Sequence, residues 1–262
     1  DATLRSQETQ MYSFQTPFLM DDGETRSLHF DFKYVQSEMR IDAPIELLFG
    51  YTQAMMAFLL INPTPENILL VGLGGGSLSK YCHHLLPQTM VTTVEINEDV
   101  ILLRDSFHIP PNNEYFNVVH DDAANYLRHQ HQISDIILLD GYTTEGLPRM
   151  LTTPMFYKDC YNALNDGGML VANFNCEDVQ LATCMGRLLR IFKNKVLVIK
   201  SNTSGNKVVF AFKGHNRLPI DLMAERAEQL QQQTQLPMLH FYEQIVMGCR
   251  PWLIPHENRD MA

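Results

Sequence analysis

Three glycines alternate along the chain directly after a short apolar segment. Gly72, Gly74 and Gly76 follow Asn67–Val71, and a helical pattern begins at Ser77. Glycine permits a tight turn and lets a ligand approach backbone N–H groups that a side chain would obstruct. Ligands of open α/β sheets bind beyond the carboxyl ends of the strands, so this loop predicts a nucleotide-type binding site.

Acidic residues end the next two apolar segments. Glu95 is placed to accept hydrogen bonds from both ribose hydroxyls of a nucleoside. Asp121 or Asp122 is placed to accept from an adenine amino group, although either residue is also a good N-cap for a helix starting at Ala123. With Gly75 inside the loop, these residues predict an adenosyl ligand, either S-adenosylmethionine or its decarboxylated form, used as a co-substrate.

A dinucleotide site is the natural alternative, since its fingerprint also combines a glycine loop with an acidic residue about 20 positions further on. The third glycine of that fingerprint would fall at Ser77, so the spacing fits G-x-G-x-G better. The predicted hairpin Lys195–Phe212 also differs from the second parallel half of a dinucleotide domain. The adenosyl ligand is therefore the favoured interpretation.

Asp140 ends the fourth apolar segment, at the same predicted sheet edge as the glycine loop. A sulfonium carbon is already electrophilic, so a protein has mainly to aim a nucleophile at it. An attacking amine must lose a proton, which a nearby carboxylate accepts. We therefore expect Asp140 to be the catalytic residue; the alternative is that it caps the following turn. The acceptor pocket is expected to include Tyr51, Gln53, Tyr142, Thr143 and Glu145.

The segments that position these residues alternate between strand and helix patterns, which predicts βαβ units and a parallel sheet. The predicted strands are Asn67–Val71, Met90–Glu95, Tyr115–His120, Ile133–Asp140 and Met169–Phe174, and the predicted helices are Ser77–Leu86, Asp99–Phe107, Ala123–His129, Thr153–Leu164 and Asp178–Phe192. The two segments Lys195–Lys200 and Lys207–Phe212 then predict an antiparallel hairpin, so the sheet should be mixed.

The two ends of the chain follow other patterns. Aromatic or alternating runs at Met11–Phe14, Ser27–Phe32 and Tyr34–Met39 predict a small β-hairpin or meander. Helical spacing from Pro44 to Leu59 predicts the next helix, and helices are predicted again after Leu218. The expected organisation is a β segment over 1–45, a ligand-binding domain over 46–214 and a helical extension over 215–262.

Bulk properties limit the function classes. The chain has 262 residues and a formal charge of −10, which argues against nucleic acid as a partner. The charge weakly favours a cationic small-molecule substrate, although solubility alone explains such a charge in many proteins. Its five cysteines form no CxxC pair and its histidines are scattered, so we expect neither disulfides nor a metal site. With no long apolar run and no signal-peptide pattern, we expect no membrane association and a cytoplasmic location.

These segments together resemble the spermidine synthase (polyamine aminopropyltransferase) family within the class I S-adenosylmethionine-dependent transferases. The resemblance is carried by seven runs: Ile68–Ser77, Val94–Asn97, Asp121–Ala123, Ile136–Asp140, Thr152–Tyr157, Ala163–Gly168 and Ser204–Asn206 of the late hairpin. It implies a Rossmann-like, class I methyltransferase-like fold and transfer of an aminopropyl group to a polyamine or other amine. It also implies Asp140 as general base and, often, a homodimer.

The chain departs from the family pattern at polar positions. Gly75 stands where the family's synthases carry the Asp that holds an aminopropyl ammonium, and Thr143 stands where they carry the Asp that holds the diamine. Tyr51-Thr52-Gln53 replaces the family's Tyr-His-Glu. These departures argue against a standard diamine acceptor and leave aminopropyl and methyl transfer both open. A catalytically silent relative that binds an adenosyl ligand or a partner is the alternative to a transferase.

Overall fold

The computed structural model describes residues 15–143, 146–203, 205–214 and 218–253. A seven-stranded sheet with the strand order β6-β5-β4-β7-β8-β10-β9 lies at its centre. These strands are β4 (Asn67–Val71), β5 (Met90–Glu95), β6 (Phe116–His120), β7 (Ser134–Leu139), β8 (Leu164–Asn175), β9 (Val196–Lys200) and β10 (Asn206–Phe212). The first five run parallel to one another, and β10 is antiparallel to both β8 and β9. The predicted mixed α/β fold is therefore confirmed.

Eight helices connect and cover these strands within the described residues. They are α1 (Gly50–Met55), α2 (Ser77–Leu85), α3 (Glu98–Leu102), α4 (Ala123–Leu127), α5 (Pro154–Ala163), α6 (Leu181–Ile191), α7 (Ile220–Thr234) and α8 (Met238–Leu253). N-capping side chains explain where two of these helices begin. The Asn97 side chain accepts from Asp99 N ahead of α3, and Thr153 Oγ1 accepts from Phe156 N ahead of α5.

The N-terminal β segment is a small antiparallel sheet of β1 (Phe18–Asp21), β2 (Thr25–His29) and β3 (Val35–Arg40). A turn at Asp22 joins β1 to β2, and Asp22 Oδ1 accepts from the backbone N–H groups of Glu24 and Thr25. The strand predicted at Met11–Phe14 lies outside the described residues.

The predicted helix start at Pro44 is wrong. The segment from Pro44 is non-helical, α1 begins at Gly50, and a 3-10 helix (Met56–Leu60) follows it. Leu47 is buried in the core, and its carbonyl oxygen accepts from Gln53 Nε2 at 2.8 Å. Helical apolar spacing does not distinguish such a buried irregular segment from the first turn of a helix.

The helix predicted over Asp99–Phe107 is instead α3 followed by a 3-10 helix (Arg104–Phe107), and two further elements start several residues away from their predicted positions. Strand β8 starts at Leu164 rather than Met169, since Leu164 pairs with Ser134 and Met169 pairs with Ile136. The glycine-rich residues between these pairs form a bulge, in which Gly167 has a φ of 82°. Helix α6 begins at Leu181 rather than Asp178, after a turn in which Asp178 Oδ1 accepts from Gln180 N.

Alternate residues of the central strands face two hydrophobic clusters on opposite sides of the sheet. Along β4, Ile68 and Leu70 join one cluster, whereas Leu69 and Val71 join the other. The first cluster also contains side chains from β3, α7 and α8, so all three sequence segments share one core. Arg226 of α7 donates to the carbonyl oxygens of Leu60 and Ile61, which fixes the helical end against the chain that follows α1.

Strand β9 forms one edge of the central sheet, and helix α8 covers that edge. The Gln244 side chain of α8 makes two hydrogen bonds to the peptide groups of Lys200. Its Oε1 accepts from Lys200 N at 2.8 Å, and its Nε2 donates to Lys200 O at 3.3 Å.

Candidate active site

The glycine loop links β4 to α2 and lies against the end of β7. Gly72, Gly74 and Gly76 have φ values of 96°, 52° and 70°, a region that favours glycine. A Cβ atom on Gly72 would lie 2.4 Å from the backbone oxygen of Asp140. Asp140 N in turn donates to Val71 O at 3.0 Å. The fold therefore brings the predicted ligand loop and the predicted catalytic residue into backbone contact.

Glu95 lies at the carboxyl end of β5 with 8% of its surface exposed. Its carboxylate accepts from Leu73 N and from Asn97 N, each at 2.8 Å. Burial raises the pKa of Glu95, while these backbone donors act in the opposite direction. The carboxylate is thus oriented by the glycine loop itself.

The structure separates the roles of the two aspartates after β6. Asp122 is the N-cap of α4, and its Oδ1 accepts from Ala124 N at 2.8 Å. The capping alternative therefore applies to Asp122. Asp121 is half-buried beside the end of β5, where its backbone N–H donates to Glu95 O. Asp121 Oδ1 accepts from Asp122 N at 2.8 Å, in the turn that precedes α4.

Both carboxylate oxygens of Asp140 have a donor. The Tyr51 hydroxyl of α1 donates to Oδ2 at 3.1 Å, and Asn173 Nδ2 of β8 donates to Oδ1 at 2.9 Å. Burial raises the pKa of Asp140, and the two hydrogen bonds lower it. Burial and the Asp140 charge also raise the pKa of Tyr51 well above its ordinary value. Asp140 is therefore a positioned carboxylate that binds a proton more readily than a solvated one.

The structure brings Tyr51 to Asp140, whereas Gln53, Tyr142 and Thr143 bond to backbone groups elsewhere. Gln53 donates its amide to Leu47 O. The Tyr142 hydroxyl accepts from Asn175 N at 2.8 Å, and burial raises its pKa. Thr143 is exposed and its hydroxyl donates to Gly146 O at 3.0 Å. Glu145 lies outside the described residues.

Strand β3 and the 3-10 helix Arg104–Phe107 pack closely against the glycine loop. A Cβ atom on Gly75 would lie 2.6 Å from Ser37 Oγ and 2.9 Å from the Phe107 ring. Ser37 Oγ lies 3.5 Å from Ser77 Oγ at the start of α2. An acidic side chain at position 75 would therefore have to displace Ser37 or Phe107.

A buried lysine lies behind this crowded region. Lys80 of α2 is 2% exposed, and its Nζ donates to Phe107 O at 2.6 Å and lies 3.2 Å from Met39 Sδ. Burial lowers the pKa of Lys80 from 10.5 to about 8. It thereby ties α2 to the segment that places the Phe107 ring against Gly75.

Sequence reasoning did not identify Ser37, Asn173 and Asn206 as site residues. Asn173 carries a usable signal, because it is a polar residue within the apolar run Met169–Phe174. Asn206 and Ser37 carry no comparable signal, since their contacts are made with residues 33 and 40 positions away in the chain.

An open groove of about 870 Å³ lies elsewhere, between α6, β9, β10 and α8. Its lining includes Val179, Met185 and Met247, but no residue of the glycine loop and neither Glu95 nor Asp140 among the described residues. It is therefore distinct from the site at the carboxyl edge of the sheet.

Metal ligation and membrane spanning find no support in the described ranges. No group of three His, Cys, Asp or Glu side chains comes together there in a way that would hold a metal ion. Nor does any helix in those ranges combine the length and apolar character required to cross a bilayer.

Comparison with known proteins places this geometry in a family. The spermine/spermidine synthase domain matches residues 48–198. The polyamine aminopropyltransferase of Chromobacterium violaceum is 35% identical over 215 residues, covering 81% of this chain and 82% of that protein. The polyamine aminopropyltransferase of Neisseria meningitidis serogroup A is 36% identical with the same coverage.

Solved structures agree on the fold. A probable spermidine synthase from Corynebacterium glutamicum superposes with a TM-score of 0.65 at 18% identity, covering 80% of this chain and 83% of that one. Human methyltransferase-like protein 13, solved in complex with SAH, gives 0.60 at 22% identity, covering 70% and 89% respectively. The central α/β fold is thus common to synthases and methyltransferases.

Proposed function

Since the chain belongs to the spermine/spermidine synthase family and is a transferase, we propose that it moves an alkyl group from an adenosyl sulfonium substrate to an amine. The observation that carries this proposal is the backbone contact between the glycine loop and Asp140. It puts a positioned carboxylate beside the loop where an adenosyl ligand would bind.

The residues at the carboxyl edge fit such a ligand. The positive φ values of Gly72, Gly74 and Gly76 shape the turn between β4 and α2, and Glu95 presents an oriented carboxylate for the ribose. Asp121 is assigned to the adenine amino group. S-adenosylmethionine and its decarboxylated form share these parts, so both are candidate co-substrates.

The chemistry requires one proton acceptor. The amine lone pair attacks the carbon attached to the sulfonium sulfur, a C–N bond forms, and the C–S bond breaks with its electrons left on sulfur as a neutral thioether. The nitrogen then carries one proton too many, which Asp140 accepts. Tyr51 and Asn173 keep the carboxylate turned toward the amine while this happens.

Aminopropyl transfer is the reaction named for the relatives, and methyl transfer is a second candidate supported by one observation. The space above Gly75 is occupied by Ser37 and Phe107, so no side chain at that position holds an ammonium group. A substrate tail without that ammonium is compatible with Ser37 and Ser77, whose hydroxyls are neutral donors and acceptors.

Ligand-induced stabilisation separates these possibilities. Melting temperatures are measured with S-adenosylmethionine, its decarboxylated form, methylthioadenosine, S-adenosylhomocysteine and NAD. A ligand at 100 times its Kd should stabilise the fold by about 2.7 kcal/mol. A larger shift with the decarboxylated form and methylthioadenosine supports aminopropyl transfer, and the reverse order supports methyl transfer. A shift with NAD alone would overturn the adenosyl site.

Turnover distinguishes an enzyme from a silent relative. Wild-type protein is incubated with the preferred sulfonium compound and a panel of amines, and the thioether product is quantified. Asp140→Asn should lose product formation while keeping the ligand-induced shift, and Asp99→Asn on the exposed side of α3 should keep both. A binding shift without product from any amine would favour the silent alternative.

A further inference from the structure

We infer that Asn173 and Asn206 form a relay of two side-chain amides that sets the orientation of the Asp140 carboxylate, and that both are positioning residues for the transfer. The catalytic consequence rests on the proposed function. The relay itself is a statement about contacts and stands independently of turnover.

Strand pairing brings the two amides together. Asn206 begins β10 and pairs with Asn175, so Asn173 is its diagonal neighbour on the same face of β8. Asn206 Nδ2 donates to Asn173 Oδ1 at 2.8 Å, and Asn173 Nδ2 donates to Asp140 Oδ1 at 2.9 Å. The late hairpin is therefore connected to Asp140 through one intermediate residue.

The relay is directional. Asn173 is 3% exposed, so its amide depends on protein partners rather than water. With its oxygen engaged by the Asn206 donor, its nitrogen faces Asp140. A flipped Asn173 would set its oxygen against the carboxylate and its nitrogen against the donor of Asn206, losing both bonds. Asn206 thus decides which atom of Asn173 meets Asp140 without touching Asp140.

Neutral donors suit this position. An amide orients a carboxylate and lowers its pKa less than a cation would, so Asp140 remains able to take a proton. The titratable groups that face Asp140 within the described residues are the phenols of Tyr51 and Tyr142, and the pKa of each is raised, which keeps them neutral. Tyr51 supplies the second bond, and the two donors reach the carboxylate from different elements, α1 and β8.

The test compares Asn173→Leu, Asn206→Leu and the double variant, with Asn202→Leu in the exposed part of the same hairpin as matched control. The Asp140 pKa is read by carboxyl-carbon NMR titration of the free protein, which requires no substrate. Each relay variant should raise it by about one pH unit, because each removes a donor from the charged form. The double variant should equal Asn173→Leu, since Asn206 acts only through Asn173. The control variant Asn202→Leu should leave the Asp140 pKa unchanged.

Turnover supplies the second measurement. Once an amine acceptor has been found, the acid limb of the kcat/KM profile should shift to higher pH by the same amount as the Asp140 pKa measured by NMR. The KM for the sulfonium compound should not change. If a leucine variant fails to fold, the nearly isosteric Asn206→Asp replaces it and should raise the Asp140 pKa more than Asn202→Asp does.

An unchanged Asp140 pKa in Asn206→Leu, or additive shifts in the double variant, would overturn the relay. If the Asp140 pKa shifts as expected in the NMR titration but no acceptor is turned over, the result would count against the proposed function and not against the relay.

Discussion

Asp140 is half-buried and receives two hydrogen bonds from uncharged groups. These influences on its pKa oppose one another, with burial raising it and the Tyr51 and Asn173 donors lowering it. A base must be deprotonated to work, so removing a donor should shift activity toward higher pH. The hydroxyl of Tyr51 is the simplest such donor to remove, because phenylalanine keeps the ring.

We expect Tyr51→Phe to move the acid limb of kcat/KM to higher pH. Loss of the hydrogen bond to Oδ2 destabilises the charged form of Asp140 and therefore raises its pKa further. The pH profiles of wild type and variant are compared, with Tyr115→Phe as the control because Tyr115 is partly exposed and remote. A limb that stays in place or moves to lower pH would contradict this assignment.

Gly72 supports a prediction about stability. Gly72 has a φ of 96°, and an added Cβ would lie 2.4 Å from the backbone oxygen of Asp140. Gly72→Ala should therefore destabilise the fold. Backbone strain alone contributes about 1–3 kcal/mol. Gly186 in α6 is the matched control, because a Cβ there meets nothing within 4 Å and alanine favours the helix. Urea unfolding should show a clear loss for Gly72→Ala and no loss for Gly186→Ala.

At the scale of elements, neighbouring aspartates at the start of α4 should have separable effects. Asp122→Ala removes the N-cap and should cost about 1 kcal/mol in the free energy of unfolding. Asp121→Ala should cost less but reduce the thermal shift given by methylthioadenosine, since Asp121 is assigned to adenine. Urea unfolding and ligand-induced melting shifts are measured on both variants. A ligand effect confined to Asp122→Ala would reverse the assignment.

The parallel part of the fold was predictable from sequence because largely apolar runs alternate with helical patterns, and four of these runs lead into Gly72, Glu95, Asp121 and Asp140. That pattern alone is enough to locate Gly72, Glu95, Asp121 and Asp140 at one sheet edge. The start of α1 was not predictable, because Leu47 is buried in a non-helical segment whose spacing imitates a helix.

The support of the site was not predictable for a different reason. Ser37 reaches the glycine loop from β3, and Asn206 reaches Asn173 through an antiparallel register. Neither contact leaves a local pattern, because side-chain contacts between distant segments depend on how whole elements pack. The chemistry of the site was thus visible in the sequence, and its positioning was not.

For the whole molecule, Lys80 predicts a pH dependence of stability. Its pKa is about 8 in the fold and ordinarily 10.5, so the unfolded chain binds its proton more tightly. The Lys80 contribution therefore opposes folding fully below pH 8 and fades as the pH rises toward 10.5, a change of about 3 kcal/mol. Cysteines and tyrosines titrate in the same range, so the quantity to follow is a difference between proteins.

The free energy of unfolding of wild type relative to Lys80→Met should rise between pH 8 and pH 10.5. Urea denaturation at several pH values measures this difference. Lys158→Met is the control, because Lys158 is an exposed lysine on α5. A flat difference for Lys80→Met would show that the buried ammonium is stabilised by more than the Phe107 carbonyl.

The glutamine that faces β9 has a consequence for self-association. A side-chain amide is the same chemical group as a peptide, so Gln244 imitates for one residue the strand that would otherwise come next. An open edge is a template on which a second chain can add, and aggregation often begins there. Gln244 of α8 therefore occupies the peptide groups of Lys200 in β9, with which a strand from another molecule would otherwise pair.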